Sequence, residues 1–299
     1  MLDLQLISLY YRICHYYSTQ LGWQVQRFSP NSLEGSITDE EILTIYLFCV
    51  AYEEKAKVKS IHSCIRHHWL SYFPALPSYQ TFVSRLNRLS ACLPLLIECL
   101  LSDLAGPEQQ ALEVHLLDSL PIITCSHKRA GKVARELTDK GYCATKGIHY
   151  HGVKVHVIGR RRAGTLPEPE LIGLSPASVH DLAAMRPVFM GSRGKVYIGD
   201  KAYADAALDR QLAQRQDCAL LTPIKKTKNM PLALQAFDRA YNDLFSSAVS
   251  SLRQPIEALF SWWDEKTQLQ NASKVRSAKG LLVHVFGKIA AAILLWSNL

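Results

Sequence analysis

The chain has 299 residues, about twice the ~150 typical of one domain, with 48% apolar and 20% charged residues. This balance, with 15 Gly and 13 Pro, excludes collagen-like, low-complexity and disordered classes. Lys and Arg outnumber Asp and Glu by 34 to 26, a net charge of +8 that points to a polyanionic partner and says nothing about fold.

From the N-terminus, MLDLQLISLYYRICHYY lacks the charged and apolar regions of a secretory signal. Eight scattered cysteines with no CxxC pair read as reduced thiols in a cytoplasm, without a zinc site. Thr38 to Glu41 forms a capping box ahead of an apolar helix over Ile42–Tyr52, and Val58–Leu70 is a second helix. Pro77-Ser78 opens a third, Tyr79–Leu89, with Phe82, Leu86 and Leu89 at core spacing. Its other face carries Gln80, Ser84, Arg85, Asn87 and Arg88, the donors a DNA-recognition helix needs; many amphipathic helices meet the same description.

LAGPEQQ near 104–110 reads as a linker dividing an all-α region, 1–108, from a second domain, 109–299. After it come strands over Leu112–Ile123, Tyr150–Arg160 and Leu171–Pro176, a helix over Asp181–Met190 and a strand over Val196–Ile198. A helix over Ala204–Gln216, a strand over Ala219–Ile224 and helices over Ser247–Lys266 and Lys279–Asn298 complete the chain. Strands in series followed by crossovers imply an α/β fold, a mixed sheet with helices on its faces. Lys225–Phe245 reads as a short loop, with Lys225, Lys226 and Lys228 either gripping DNA or solvated. The last helix is apolar enough to resemble a membrane span, but Lys288 and His284 interrupt it; a buried core helix and no membrane partner are expected.

Asp118 lies in the most apolar strand, where an ionised carboxylate needs compensation. Asp200 ends another strand, at Gly199, where the backbone can turn. Each alone also reads as a turn or cap residue. If the two strands are adjacent and parallel, both carboxylates emerge at one edge as a hard oxygen site suited to Mg²⁺. Glu257 would sit at the rim of the face carrying Ile256, Leu259, Phe260 and Trp263, with Arg253 four residues earlier; periodicity alone favours an ordinary surface ion pair for these two.

The ordered blocks DSLPIITC, KGYCATKGIHYHGVKVHVI, SPASVHDLAAM, YIGDKAYADAAL, LLTPIKKTKN and RQPIEALFSWW resemble bacterial insertion-sequence DDE transposases, closest to insertion-sequence family nine-eight-two. The match runs from about 112 to 299, and PSYQTFVSRLNRL resembles that family's helical DNA-binding part. The resemblance implies a ribonuclease H-like catalytic domain after an all-α, helix-turn-helix-like one. It places the metal-binding catalytic acids at Asp118, Asp200 and Glu257, holding two Mg²⁺, for which Mn²⁺ can substitute. The implied partners are double-stranded DNA (terminal inverted repeats and target) and a second copy of the chain. On the last catalytic helix Arg253 and Glu257 fit the family's signature, but Ser250 stands at its Tyr position and Asp264 at its Lys position, with Lys266 two residues late. Alternatives are a ribonuclease H-like nuclease of another purpose and a non-catalytic DNA-binding protein derived from a transposase.

Further candidates for DNA contact are His180, Lys201, which reads equally as a solvated lysine, and Trp262, by base stacking. Asp181 reads as a helix N-cap. Residues 1–108 carry 8 Lys and Arg against 10 Asp and Glu, so the charge excess lies in 109–299. It is densest over 126–162, with ten basic residues, including Lys128, Arg129, Lys132, Lys146 and Lys154, against two acids. That stretch is expected to clamp DNA phosphates beside Asp118.

Overall fold

The computed structural model describes residues 2–25, 37–104, 113–126, 128, 131–143, 146–224 and 232–296, and for 232–240 the backbone only. Among the described residues five α-helices open the chain: α1 (Leu2–Thr19), α2 (Asp39–Ala51), α3 (Val58–Cys64), α4 (Tyr79–Arg88) and α5 (Leu93–Leu104). The Thr38 capping box forms at the start of α2: Thr38 accepts from the Glu41 amide while Glu41 accepts from the Thr38 amide. A π-helical turn, Ile65–Trp69, prolongs α3. Ser78 caps α4, as its place before the apolar stripe predicts.

The strands are β1 (Glu113–Ser126), β2 (Asp139–Cys143), β3 (Ile148–Arg160), β4 (Glu168–Pro176), β5 (Lys195–Ile198) and β6 (Ala219–Leu221). They form one mixed sheet in the order β2-β3-β1-β5-β6, with β4 also on β3. β1 runs antiparallel to β3 and parallel to β5, and β5 is parallel to β6. Helices α6 (Asp181–Met190) and α7 (Ala206–Gln216) make the crossovers. This is the mixed α/β architecture expected, behind an all-α N-terminal region.

Successive strand residues face opposite sides, so β1 serves two layers. Leu116, Leu120 and Ile122 pack into the large core that includes α8 (Leu232–Thr267), while Leu117 joins Met185, Phe189, Leu208 and Leu212 under α6 and α7. Ile256, Leu259 and Trp263 on α8 are wholly buried, which fixes that helix on the sheet. Helix α8 begins well before Ser247, so much of the expected 225–245 loop is helical; Lys225, Lys226 and Lys228 lie outside the described residues.

The C-terminal helix, α9 (Ala278–Leu282) running through a π turn into α10 (Lys288–Trp296), is long and apolar enough to cross a membrane. Here it is packed: Ile289 to Leu294 are buried, and α10 contacts α2, α5 and α8. The last segment of the chain thus inserts among the first helices, and one apolar core runs from Leu6 through Trp263 to Leu294. The expected linker lies mostly outside the described residues, and β2, α1 and α5 have no counterpart in the sequence reading. All eight cysteines are free.

Candidate active site

The register of β1 against β5 pairs Leu116 with Ile198. Two residues further along each parallel strand stand Asp118 and Asp200, which brings the two carboxylates to one level. Gly199 permits the turn after β5: a Cβ there would come within 2.8 Å of the Tyr203 ring. Asp200 then caps a short 3₁₀ turn, Lys201–Tyr203, accepting from the Ala202 amide at 2.8 Å. Helix α8 crosses this edge, and Asp118, Asp200, Arg253 and Glu257 together line a cavity of about 640 Å³.

Asp118 Oδ1 accepts from the Ser119 amide at 2.8 Å and Oδ2 from Arg253 Nη1 at 2.6 Å. The other guanidinium nitrogen of Arg253 is hydrogen-bonded to Glu257. Burial pushes the Asp118 carboxyl up to about 7; Arg253 and the Ser119 amide oppose this, while Asp200 and Glu257 add to it. The acids are therefore close enough to repel one another. Three carboxylates are hard oxygen donors, and a cation, Arg253, already sits between two of them. By donor type they suit a divalent metal ion, but in this arrangement the three do not gather their ligand atoms within 4.8 Å of one another, and Arg253 bridges Asp118 and Glu257 instead.

Tyr203, which sequence reasoning passed over, is buried beside this group. Its hydroxyl has no hydrogen-bond partner among the described residues, and burial together with Asp181, Asp118 and Asp200 raises its pKa well above the usual value. Its place three residues after Asp200 was the available signal.

Several residues expected at DNA are engaged elsewhere. Arg253 faces inward onto acids rather than outward. Lys154 pairs with Asp181 at 2.7 Å, so Asp181 is a salt-bridge partner and His180, not Asp181, occupies the N-cap of α6. Arg85 is bound to the Ile37 carbonyl and to Asp39, tying α4 to α2, and Arg88 is half-buried with its Nε enclosed. Trp262 is half-buried against the core. Lys266 pairs with Glu265 at 3.2 Å and is not among the cavity's lining.

Lys146 does reach the cavity wall, its Nζ 2.6 Å from Gln270 Oε1. Asp264, at the signature's Lys position, accepts from the Gln270 amide at 2.8 Å and shapes the same wall. His180, Lys201, Lys128 and Lys132 are exposed; Arg129 lies outside the described residues.

Among the described residues, the group gathered closely enough to hold a metal ion by geometry is Glu113, His115 and Glu170, whose ligand atoms lie within 4.8 Å of one another. His115 shares the Leu117 face of β1, opposite to Asp118. Lys195 Nζ stands 3.3 Å from His115 Nε2, 3.4 Å from Glu170 and 3.7 Å from Glu113, so an ammonium already serves these carboxylates.

The family model described as "Transposase DDE domain" matches residues 110–295. No curated protein matches the chain.

Proposed function

From the premise that this chain belongs to the DDE transposase family, we propose that it cuts the DNA ends of its own mobile element and joins them to target DNA, using Asp118, Asp200 and Glu257 as its catalytic acids. The observation that carries this reading is the convergence of those three carboxylates, from β1, the end of β5 and α8, on one cavity. The mixed sheet behind them supports a ribonuclease H-like catalytic domain, and the motif order supports insertion-sequence family nine-eight-two.

Asp118, fixed by the Ser119 amide, and Asp200, fixed by the Ala202 amide, would hold Mg²⁺ or Mn²⁺ together with half-exposed Glu257. Two such ions, when bound, supply Lewis-acid stabilisation of developing charge and favour deprotonation of a water or 3′-hydroxyl nucleophile. Arg253, once its carboxylate partners turn to a metal, can direct its donors to a non-bridging phosphate oxygen. Lys146 at the wall, with exposed Lys128, Lys132 and Lys201, orients the strand by phosphate contacts. A homodimer would bring two element ends together.

The test is strand transfer by purified protein on a terminal-repeat duplex with Mg²⁺. Cleavage at the repeat end followed by joining of its 3′-hydroxyl to a second duplex is expected. Cleavage indifferent to end sequence and without joining would indicate a nuclease of another purpose. Unaltered transposition by Asp118→Asn would end the catalytic reading.

A further inference from the structure

A second cavity, of about 550 Å³, lies between the helical region and the segment that follows α8. One side is the start of α3 and one flank of α4, including Lys57, Lys59 and Asn87; the other is 268–288, including Lys274, Arg276 and Lys288. Five lining residues are Lys or Arg, and among the described residues lining it none is acidic. Lys57, Lys59 and Lys274 are exposed and make no ion pair among the described residues. Several lysines that share a concave surface without a carboxylate leave uncompensated positive potential, which low-dielectric walls focus.

The wall between the two cavities is a single turn. Gln268 and Asn271 line the basic one, Gln270 lines the acidic one. That turn is anchored to β1: the Ile123 amide donates to the Gln270 carbonyl at 2.8 Å, and the Ala272 amide to the Ile123 carbonyl at 2.9 Å. Lys288 reaches it from below, donating to the Gln268 carbonyl at 2.8 Å. A strand passing the catalytic acids would meet the basic cavity directly across a fixed partition.

We propose that this basic cavity is a DNA-backbone site, in which Lys57, Lys59 and Lys274 hold phosphodiester groups of the duplex flanking the bond at the catalytic acids. It rests on the reading that the neighbouring cavity takes DNA. The site joins the two regions of the chain on one ligand, and it uses the α3 start and a flank of α4 rather than Arg85, which is bound to Asp39. Asn87 and Asn271 add uncharged donors beside the lysines.

The experiment uses the full chain in chelator, so that binding is read without chemistry. Affinity for a terminal-repeat duplex is measured by fluorescence anisotropy across a salt series. Each lost phosphate contact removes about 0.9 from the slope of log affinity against log salt, so Lys57→Gln/Lys59→Gln/Lys274→Gln together should lower it by about 2 to 3. The corresponding triple Lys→Arg variant should keep the slope, which separates charge loss from misfolding. Amine acetylation of wild-type protein should show these lysines protected by duplex. An unchanged slope in the Gln variant, or protection by inorganic pyrophosphate but not by duplex, would overturn the proposal. A lowered slope together with no strand transfer by the wild type in the separate Mg²⁺ assay would count against the transposase reading and leave this site standing.

Discussion

Nη1 of Arg253 lies 2.6 Å from Oδ2 of Asp118, a contact between residues 135 apart in sequence. The same guanidinium bonds Glu257, so one fixed cation lies between two of the three acids. Burial nonetheless keeps the Asp118 carboxyl near 7, against an ordinary 3.8. Arg253→Gln removes the charge that opposes that rise and moves the pKa higher. In metal-free protein the carboxyl NMR titration of Asp118 should therefore shift to higher pH in this variant. An unmoved titration would mean that Asp118 does not titrate under Arg253's influence.

The same displacement has a stability consequence. A carboxyl whose folded pKa is raised binds more protons in the folded than in the unfolded chain, between about 4 and about 7. Its contribution is fully present below about 4 and lost as pH rises through about 7. Metal-free wild type should lose stability across this window, on the order of a few kcal/mol from this group, and Asp118→Asn should flatten that part of the curve. Urea denaturation in chelator at stepped pH measures both.

The test of Asp200 and Glu257 is functional. Asp200→Asn and Glu257→Gln should each reduce strand transfer by at least about 10²- to 10³-fold, while DNA affinity in chelator stays near wild type. Glu257 is half-exposed, so its neutral variant should fold normally. A loss of DNA affinity as large as the loss of rate would make these residues binding groups instead.

Tyr203→Phe separates two roles of one hydroxyl. In this structure the hydroxyl is enclosed without a partner among the described residues, and deleting a buried unpaired polar group stabilises by about 1 to 3 kcal/mol. A raised Tm is expected. If the hydroxyl gains a carboxylate partner once metal is bound, activity should fall while stability rises; a variant both less stable and less active would place Tyr203 in an undetected hydrogen bond.

The sequence made one half of this site legible and hid the other. Alternating and helical periods placed β1, β5, α6 and α8, because burial of their apolar faces dictates residue choice. The level pairing of Asp118 and Asp200 follows from strands of that order being adjacent and parallel. Asp39 holding Arg85, Asp181 holding Lys154, and Lys195 among Glu113, His115 and Glu170 are contacts between distant segments, and no local pattern encodes them. Helix α1 escaped because exposed Leu4, Ile7 and Tyr11 blur the buried stripe of Leu6, Leu9, Ile13 and Tyr16. Strand β2, DKGYC, is too polar and short at its sheet edge to show alternation.

Lys288 offers the clearest pH test outside the catalytic cavity. The side chain is buried, and burial lowers its pKa from 10.5 to about 7, with Asp264 opposing the shift. Between those values the unfolded chain binds a proton that the folded chain releases, so stability rises with pH from about 7 to about 10. Lys288→Met should remove that rise. It also leaves the Gln268 carbonyl without its 2.8 Å donor, a cost of about 1 to 3 kcal/mol that offsets part of the gain at neutral pH. Neighbouring His284 is held neutral by burial first and by the Lys288 charge second, so its pKa should move up in the same variant. Urea midpoints at stepped pH read the first effect and imidazole NMR the second. A wild-type curve already flat above pH 7 would show that Lys288 keeps its proton in the fold, bound to the Gln268 carbonyl and balanced by Asp264.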